Sequence, residues 1–298
     1  MNASQKNLKA DNQLKASELT LADDGSLYHI RLLPEQLAEN VILVGDPKRV
    51  SVVSDFFDEI EFKKDNREIV SHTGTYKGKR ITAMSTGMGV DNLDIVITEL
   101  DACKNINLKT RTINDKHVAL NLIRLGTTGA MQKDMDINSY ICSKYVVGID
   151  GMMWFYDSRQ GVMCEDLQKE FVKFMNWSSP LPTPYACKAN DTLLEKIAFD
   201  MPKGITITAP GFYGPQGRMI RLPLRDNTIN EKLPRFSFDG YKVTNYEMET
   251  SSLYCLAQNL GHNAITICNV VANREQGTFA KDYHQSMSRL IETVLNRI

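Results

Sequence analysis

The sequence predicts an α/β fold, in which a sheet carries helices on both of its faces. Segments of strand length, apolar or β-branched, alternate with amphipathic segments of helical spacing along residues 41–295. Glycine turns separate many of these segments, and no linker, internal repeat or low-complexity tract divides them. Strand–turn–helix repetition of this kind is typical of layered α/β domains. We therefore expect one domain over residues 21–298, preceded by a polar, mobile lead-in over residues 1–20.

Strands are predicted where apolar or β-branched residues run together: 41–44, 80–85, 118–125, 140–147, 204–209, 241–246 and 264–271. Helices are predicted where apolar residues recur at helical spacing: 47–57, 93–100, 193–198, 253–260 and 287–295. Asp46 and Pro47 predict the start of the first helix, because Asp caps a helix and Pro fits its first turn. Asp91 or Asn92 is expected to cap the second helix. Residues 150–190 are less regular, and their tryptophans and prolines predict loops or an insertion over one face.

The bulk composition excludes several classes of protein. The chain has 298 residues, 42% of them apolar, and a formal net charge of -1. Nucleic-acid binders need a basic surplus, so we expect no nucleic-acid partner. No apolar run reaches the roughly 18 residues that a membrane-spanning helix needs, and the polar segment Met1–Ser17 does not fit a signal peptide. We therefore expect a cytoplasmic protein without a membrane partner.

The cysteines give no sign of a metal site. The chain has six, with no Cys-x-x-Cys pair and no histidine at metal-ligand spacing. This pattern predicts reduced, mostly buried thiols without a bound metal, with metal binding or a disulfide as the lesser alternatives.

The first chemical motif is a glycine turn with an arginine beside it, Gly45-Asp46-Pro47-Lys48-Arg49. Gly45 lets the backbone approach a ligand closely. The helix that begins at Pro47 directs its free N–H groups and the positive end of its dipole to the same place. Arg49 lies in the first turn of that helix, close to this end. The motif predicts an oxyanion site, and the alternative is an ordinary turn with a solvated arginine.

A second motif of this kind is Arg124-Leu125-Gly126-Thr127-Thr128-Gly129, where an apolar strand is expected to run into a glycine turn. A charged residue in a buried strand needs a partner, and for Arg124 that partner is an anionic ligand or an acidic residue of the fold. The hydroxyl of Thr127 and the neighbouring glycines favour the ligand. Two such half-sites on separate strands suggest free phosphate as a substrate, instead of the phosphate tail of a nucleotide.

Two carboxylates are suited to a sugar. Glu247 and Glu249 are two residues apart, so on an extended chain their side chains point the same way. At the carboxyl end of a strand they could accept paired hydrogen bonds from a ribose diol. The alternative is a solvated acidic pair at a helix start, where the dipole favours negative charge.

The loop 212–218 is suited to a flat base. A base could stack on Phe212, and the Gln216 amide matches the alternating donors and acceptors of a uracil edge. Arg218 donates only and could neutralise charge on a leaving base. An ordinary surface turn is the alternative. His29 and Arg67 are uninformative by themselves.

Together these segments resemble the nucleoside phosphorylase family, and within it the uridine phosphorylase branch. The resemblance extends from about His29 to the C-terminus. The segments that carry it are Gly45–Arg49, Ser85–Gly89, Ile123–Ala130, Gln216–Arg218, Asn245–Glu249 and Asn273–Arg274. It implies a three-layer α/β/α sandwich around a mixed sheet. It also implies an enzyme of pentosyl transfer, which converts uridine and phosphate to uracil and ribose 1-phosphate in nucleoside salvage.

The resemblance implies three groups of site residues. The phosphate-binding residues are Gly45, Arg49, Arg124 and Thr127, with Arg67 reaching in from a neighbouring subunit. The ribose-binding residues are Met248 and Glu249, with His29 of the neighbouring subunit on the 5′-hydroxyl. The base-binding residues are Phe212, Gln216 and Arg218. Arg49, Arg124 and Arg218 would be catalytic, and inorganic phosphate would be a co-substrate without any further cofactor.

Two departures from the family pattern limit which properties of the family we expect in this chain. The Gly-Gly-Pro-Ser stretch of bacterial relatives is replaced here by Gly89-Val90-Asp91-Asn92, so the monovalent cation that some of them bind nearby is not carried over. Segments 104–116 and 148–156 are longer than in compact relatives, which favours a homodimer over a hexamer.

Purine-selective relatives carry an Asp in the segment that is Ala272-Asn273-Arg274 here, and the absence of this Asp favours a pyrimidine as the base.

Three alternatives to uridine phosphorolysis stay open. One is phosphorolysis of another nucleoside, such as thymidine, deoxyuridine or a purine nucleoside. The second is nucleoside hydrolysis, which needs no anion site. The third is a nucleoside-binding protein without turnover.

Overall fold

A computed structural model describes residues 13–298, and it confirms the α/β prediction. The strands are β1 (Asn40–Val44), β2 (Glu59–Asn66), β3 (Ile69–Tyr76), β4 (Lys79–Ser85), β5 (Ile106–Asn107), β6 (Thr112–Ile113), β7 (Asn121–Ala130), β8 (Tyr140–Gly148), β9 (Tyr185–Lys188), β10 (Lys203–Thr208), β11 (Ser237–Phe238), β12 (Tyr241–Glu247), β13 (Asn263–Asn273) and β14 (Thr278–Phe279). The α-helices are α1 (Pro47–Ser54), α2 (Val90–Asn105), α3 (Glu165–Met175), α4 (Asp191–Ile197), α5 (Ile229–Lys232), α6 (Thr250–Leu260) and α7 (His284–Arg297).

The central sheet is mixed and has 12 strands. Its main path follows the order β11-β12-β10-β8-β13-β7-β1-β4-β3-β2. Strand β12 pairs in parallel with β10 and, at its carboxyl end, antiparallel with β7. Because of this second pairing, β7, β13, β8, β10 and β12 close into a ring. The closure brings the ends of β7 and β12 together, although they are more than a hundred residues apart in sequence.

Helices cover both faces of the sheet. On β13, the Thr266 hydroxyl bonds Thr250 of α6 at 3.2 Å, whereas the Asn269 amide donates to Ser286 of α7 at 2.7 Å. Residues three apart on a strand point to opposite faces, so α6 and α7 lie on opposite sides. The outer helices and the sheet enclose one large apolar core, and a smaller one lies under β8, β10 and β12.

The expected second glycine turn is wrong. Residues 126–129 continue β7 as far as Ala130, because β13 pairs with β7 along this whole length. Gly126 has another role, since a Cβ atom there would overlap the guanidinium of Arg124. The glycine therefore makes room for a charged side chain two residues earlier on the same face of the strand.

The expected cap of the second helix is also wrong. Helix α2 begins at Val90, so its N-cap is Gly89, at a φ of 96°, and not Asp91 or Asn92. The reason is tertiary: the Gly89 N–H donates to Glu249 Oε1 at 2.7 Å, which fixes the backbone just before the helix. The first helix agrees with its prediction, since it starts at Pro47 and Asp46 accepts from the Lys48 N–H at 3.0 Å.

Three further expectations need correction. The segment 150–190 is not only loops, because it contains α3 and β9. Of the expected lead-in, residues 1–12 lie outside the described residues, but Leu19 is buried and Leu14 packs against the core. The cysteines are not all reduced, because Cys187 on β9 and Cys255 on α6 form a disulfide.

Within residues 13–298, no helix is long and apolar enough to cross a membrane.

Candidate active site

A cavity of about 920 Å³ opens where β1, β4, β7, β12 and β13 end. Ligand sites of α/β sheets commonly lie at the carboxyl ends of strands. The cavity is lined by nine of the eleven site residues that the resemblance implies: Gly45, Arg49, Arg124, Thr127, Phe212, Gln216, Arg218, Met248 and Glu249. The fold therefore brings together segments that are up to about 200 residues apart.

One end of the cavity is cationic. Arg49 extends from the first turn of α1 and donates to the Leu125 carbonyl of β7 at 3.4 Å, so it bridges the two glycine motifs. Burial lowers the pKa of Arg49, but a guanidinium keeps its charge at neutral pH. Gly45 and the half-buried Thr127 line the same end.

Arg124 lies at the centre of a buried ion cluster. Its Nη1 is 3.3 Å from Glu247 Oε2, and its Nη2 donates to Glu249 Oε2. All three side chains are at least nine-tenths buried. Burial alone would lower the pKa of Arg124, but Glu249 and Glu247 raise it above its usual value. The guanidinium is therefore a permanent charge in the wall of the cavity.

The cluster shows which kind of group pairs with the Arg124 guanidinium. The alternative of an acidic residue of the fold is correct, yet the same side chain also lines the cavity. Its Nε is buried and donates to no group in the described part of the chain. A buried N–H without an acceptor is costly, and an anion in the cavity would relieve that cost.

Glu247 and Glu249 do point toward one group, as their spacing predicts. Glu247 also accepts from the Thr250 N–H at 2.9 Å and from the Thr208 hydroxyl at 2.5 Å, which makes it a structural support. Among the described residues, the Glu249 carboxylate accepts only from the Gly89 N–H and from Arg124, and it lines the cavity beside the half-buried Met248.

The other end of the cavity is built around the Gln216 amide. Arg218 Nη1 donates to Gln216 Oε1 at 2.6 Å, and Arg274 Nη2 donates to the same oxygen at 3.0 Å. Two guanidinium donors fix this oxygen toward them, so Nε2 is left as the donor for a ligand. The amide oxygen of Gln216, which was expected to accept from a uracil, is therefore already hydrogen-bonded within the protein.

Arg274 is the site residue that sequence reasoning missed, although its segment was part of the resemblance. It also donates to the Gln216 carbonyl at 2.8 Å and lies 4.8 Å from the centre of the Tyr246 ring. Burial and the nearby Arg218 lower the pKa of Arg274 to about 10. Two converging guanidinium groups make this end of the cavity favourable for developing negative charge.

Phe212 is half exposed beside this group, and one face of its ring is covered. The Arg218 guanidinium lies 3.9 Å from the ring centre, and Arg218 Nη1 donates to the Phe212 carbonyl at 2.6 Å. A base can therefore stack only on the other face unless Arg218 moves.

Arg67 and His29 do not line the cavity of their own chain. They belong to one surface region instead, because Asn66, next to Arg67, donates to the His29 carbonyl at 2.9 Å. The His29 ring is held by Glu99, with Nδ1 at 2.6 Å from Oε1. Nε2 of His29 makes no hydrogen bond within residues 13–298.

A separate cluster of Asp101, His117 and His262 has the residue types of a metal site. The Leu120 N–H donates to His262 Nδ1 at 3.1 Å, so the proton of the neutral ring is on Nε2, which lies 3.1 Å from Asp101 Oδ1. This tautomer leaves no lone pair on Nε2 for a metal ion.

A family model described as the phosphorylase superfamily matches residues 39–296. Among curated relatives, a uridine phosphorylase of Thermococcus kodakarensis is 30% identical over 272 residues, covering 89% of this chain and 84% of the relative. A DeoD-type purine nucleoside phosphorylase of Bacillus thuringiensis is 27% identical over 279 residues, covering 90% of this chain and 97% of the relative.

Solved structures of nucleoside phosphorylases are similar to this chain as well. A Trypanosoma brucei nucleoside phosphorylase, described as showing uridine phosphorylase activity, superposes with a TM-score of 0.84 at 29% identity. The match covers 94% of this chain and 98% of that one. A Toxoplasma gondii purine nucleoside phosphorylase shares the fold, with a TM-score of 0.67 at 19% identity over 92% of this chain and 95% of that one.

Proposed function

The chain belongs to the phosphorylase superfamily and is of the nucleoside phosphorylase type, and we propose that it converts uridine and phosphate reversibly to uracil and ribose 1-phosphate. The observation that carries this proposal is the order of groups along one cavity. Arg49 and Arg124 lie at one end, Glu249 beside them, and Gln216 with Arg218 and Arg274 at the other.

At the cationic end, inorganic phosphate is the nucleophile. Gly45, Thr127, Arg49 and Arg124 hold it under the sugar, and the unpaired Nε of Arg124 is a donor for one of its oxygens. Glu249 and Met248 hold the ribose. The glycosidic bond breaks largely before phosphate bonds to C1′, so the sugar becomes an oxocarbenium-like cation that phosphate stabilises and then captures. Catalysis is positioning and electrostatics, without a covalent enzyme intermediate or a further cofactor.

At the other end, the leaving uracil takes the electrons of the glycosidic bond. Gln216 Nε2 donates to a uracil carbonyl, and Arg218 with Arg274 stabilises the developing anion. The Asp that purine-selective relatives carry near Asn273 has no counterpart here, which favours a pyrimidine. A purine nucleoside is the second candidate, because purine nucleoside phosphorylases are also similar over nine-tenths of the chain.

We expect purified protein to release uracil from uridine only when phosphate is present. The reason is that the cationic end of the cavity has to be filled by the nucleophile before the sugar cation can be captured. The measurement is the absorbance change on release of the free base, with and without phosphate, for uridine, deoxyuridine, thymidine and inosine. Release of base without phosphate would identify a hydrolase, preference for inosine a purine enzyme, and no turnover a binding protein.

We also propose that the enzyme is a homodimer with shared active sites. His29 and Arg67 are absent from the cavity of their own chain yet lie side by side on its surface. In a two-fold dimer, one patch of this kind would complete the site of each partner. Arg67 would then add a third guanidinium to the phosphate, and His29 would bond the 5′-hydroxyl of the ribose.

A mixture of two inactive variants tests this arrangement. We expect Arg67→Ala and Arg124→Ala to be nearly inactive alone. After unfolding and refolding together, their mixed dimers contain one intact site, because both lesions fall in the other site. Random pairing then restores roughly one quarter of the wild-type activity. Arg124→Ala refolded with Arg218→Ala is the matched control: both residues belong to a chain's own cavity, so each site of the mixed dimer keeps one lesion and the mixture stays inactive. If the mixture of Arg67→Ala and Arg124→Ala also stays inactive, the site lies within a single chain and the shared arrangement is refuted.

A further inference from the structure

A second cavity of about 750 Å³ lies beside the nucleoside cavity. Its walls come mainly from two stretches, residues 175–182 and residues 213–229, with Ile149 and Pro210 beside them. Most of the side chains are apolar, among them Trp177, Leu181 and Leu224. Cavities of roughly 300–1,000 Å³ with apolar walls and a few polar groups are typical of small-ligand sites.

The charged groups of this cavity are mainly cations. Arg218, Arg221 and Arg225 line it, and the accompanying acid is Asp226. The Asp226 carboxylate already accepts from the Thr228 N–H at 2.7 Å and from Lys232 at 3.2 Å. Within residues 13–298, Arg221 and Arg225 make no hydrogen bond or ion pair. The cavity therefore combines an apolar interior with two uncompensated guanidinium groups.

We propose that this cavity binds a small amphiphilic carboxylate. Its apolar body would pack on Trp177, Leu181 and Leu224, replacing water on an apolar surface. Its carboxylate would accept from Arg221 and Arg225, whose planar forks fit a carboxylate. Ile220 and Leu222 are 77% and 82% exposed at the rim, and an occupant with an apolar chain also removes part of their surface from water.

The bound carboxylate would affect the nucleoside cavity indirectly, through the Arg218 side chain. This side chain lines both cavities, and it donates to Gln216 Oε1 and to the Phe212 carbonyl. An anion near Arg221 would compete for that guanidinium and raise the KM for uridine. This coupling rests on the proposed function, whereas binding of the carboxylate does not.

Binding can be measured without any enzyme assay. The chain has two tryptophans, and Trp177 lies in the cavity wall with its indole N–H donating to the Pro182 carbonyl at 2.9 Å. A Trp154→Phe variant leaves Trp177 as the sole tryptophan. We expect octanoate, below the concentration at which it forms micelles, to give a saturable blue shift of the emission. Octanol should bind at least about fivefold more weakly and octylammonium more weakly still.

Variants in the same background test the charges. Arg221→Ala/Arg225→Ala should weaken octanoate at least about fivefold and leave octanol unchanged. Lys63→Ala/Lys116→Ala, which removes two exposed cations elsewhere, should bind octanoate as the parent does. Thermal melting checks that each variant folds. The proposal is overturned if octanoate gives no saturable shift, if the three head groups bind equally, or if the arginine pair has no effect. Analytical ultracentrifugation gives a further check. If the parent does not bind octanoate and the arginine variant changes its mass in solution, this face is an interface between copies of the chain, and the proposal is overturned.

Discussion

Arg124→Ala is expected to lower kcat/KM for uridine phosphorolysis at least about 100-fold. Arg124 is the guanidinium that lies in the cavity wall and is paired with Glu249, so its loss removes a phosphate donor and releases the ribose-binding carboxylate at once. Uracil release at varied phosphate and uridine concentrations measures the effect. Activity near that of the wild type would refute the assigned role.

The same substitution also lowers stability, which has to be separated from catalysis. Removing Arg124 leaves Glu247 and Glu249 buried without their cation, and breaking a buried pair in this way costs about 3–5 kcal/mol. Urea unfolding at neutral pH measures this loss. Arg124→Lys keeps the charge but not the planar fork, so it should stay folded and raise the KM for phosphate more than that for uridine.

Gly126→Ala gives an independent control for Arg124. A Cβ atom at this position would overlap the guanidinium, so the substitution displaces Arg124 without removing its charge. We expect the variant to lose phosphate affinity. Gly129→Ala, on the same strand, is the matched control, since its Cβ would meet only Arg274 Nε at an ordinary 3.7 Å.

Arg218→Ala is expected to lower kcat/KM by at least about 100-fold as well, but with little loss of stability. Arg218 is only partly buried and is hydrogen-bonded to the Phe212 carbonyl and to Gln216, so no buried charge is left unpaired. The loss comes from weaker stabilisation of the leaving uracil anion. Steady-state kinetics with uridine, together with urea unfolding, measure the two effects.

The leaving group itself provides the sharper test of Arg218. In 5-fluorouridine the departing base is the more stable anion, so less help is needed from a cation. The defect of Arg218→Ala should therefore be smaller for 5-fluorouridine than for uridine. Arg221→Ala, three residues further along the loop, should leave both rates unchanged at saturating uridine. A defect of equal size for both substrates would show that Arg218 acts on binding and not on the departing base.

Local chemistry made several features predictable. Asp46 and Pro47 fix the start of α1, because a cap and a proline act within one turn of the chain. The spacing of Glu247 and Glu249 correctly placed both carboxylates toward one group. The family resemblance supplied the fold, and the cavity gathers all the residues expected from a single chain.

Other features depend on neighbours distant in sequence. Residues 126–129 have the composition of a turn, but pairing with β13 keeps them extended. Gly89 caps α2 because Glu249, 160 residues away, accepts its N–H. The role of Arg274 depends on the position of the Gln216 loop, which no local pattern describes.

The sequence by itself determined the alternation of strands and helices, the two arginine-bearing motifs and the resemblance to a family. Only the tertiary structure decided that Arg124 pairs with Glu249 and that Gln216 is held by two arginines. The physical reason is the closure of β7 onto β12. Periodicity and capping act over a few residues, whereas ion pairs form between whichever groups the packed strands bring within reach.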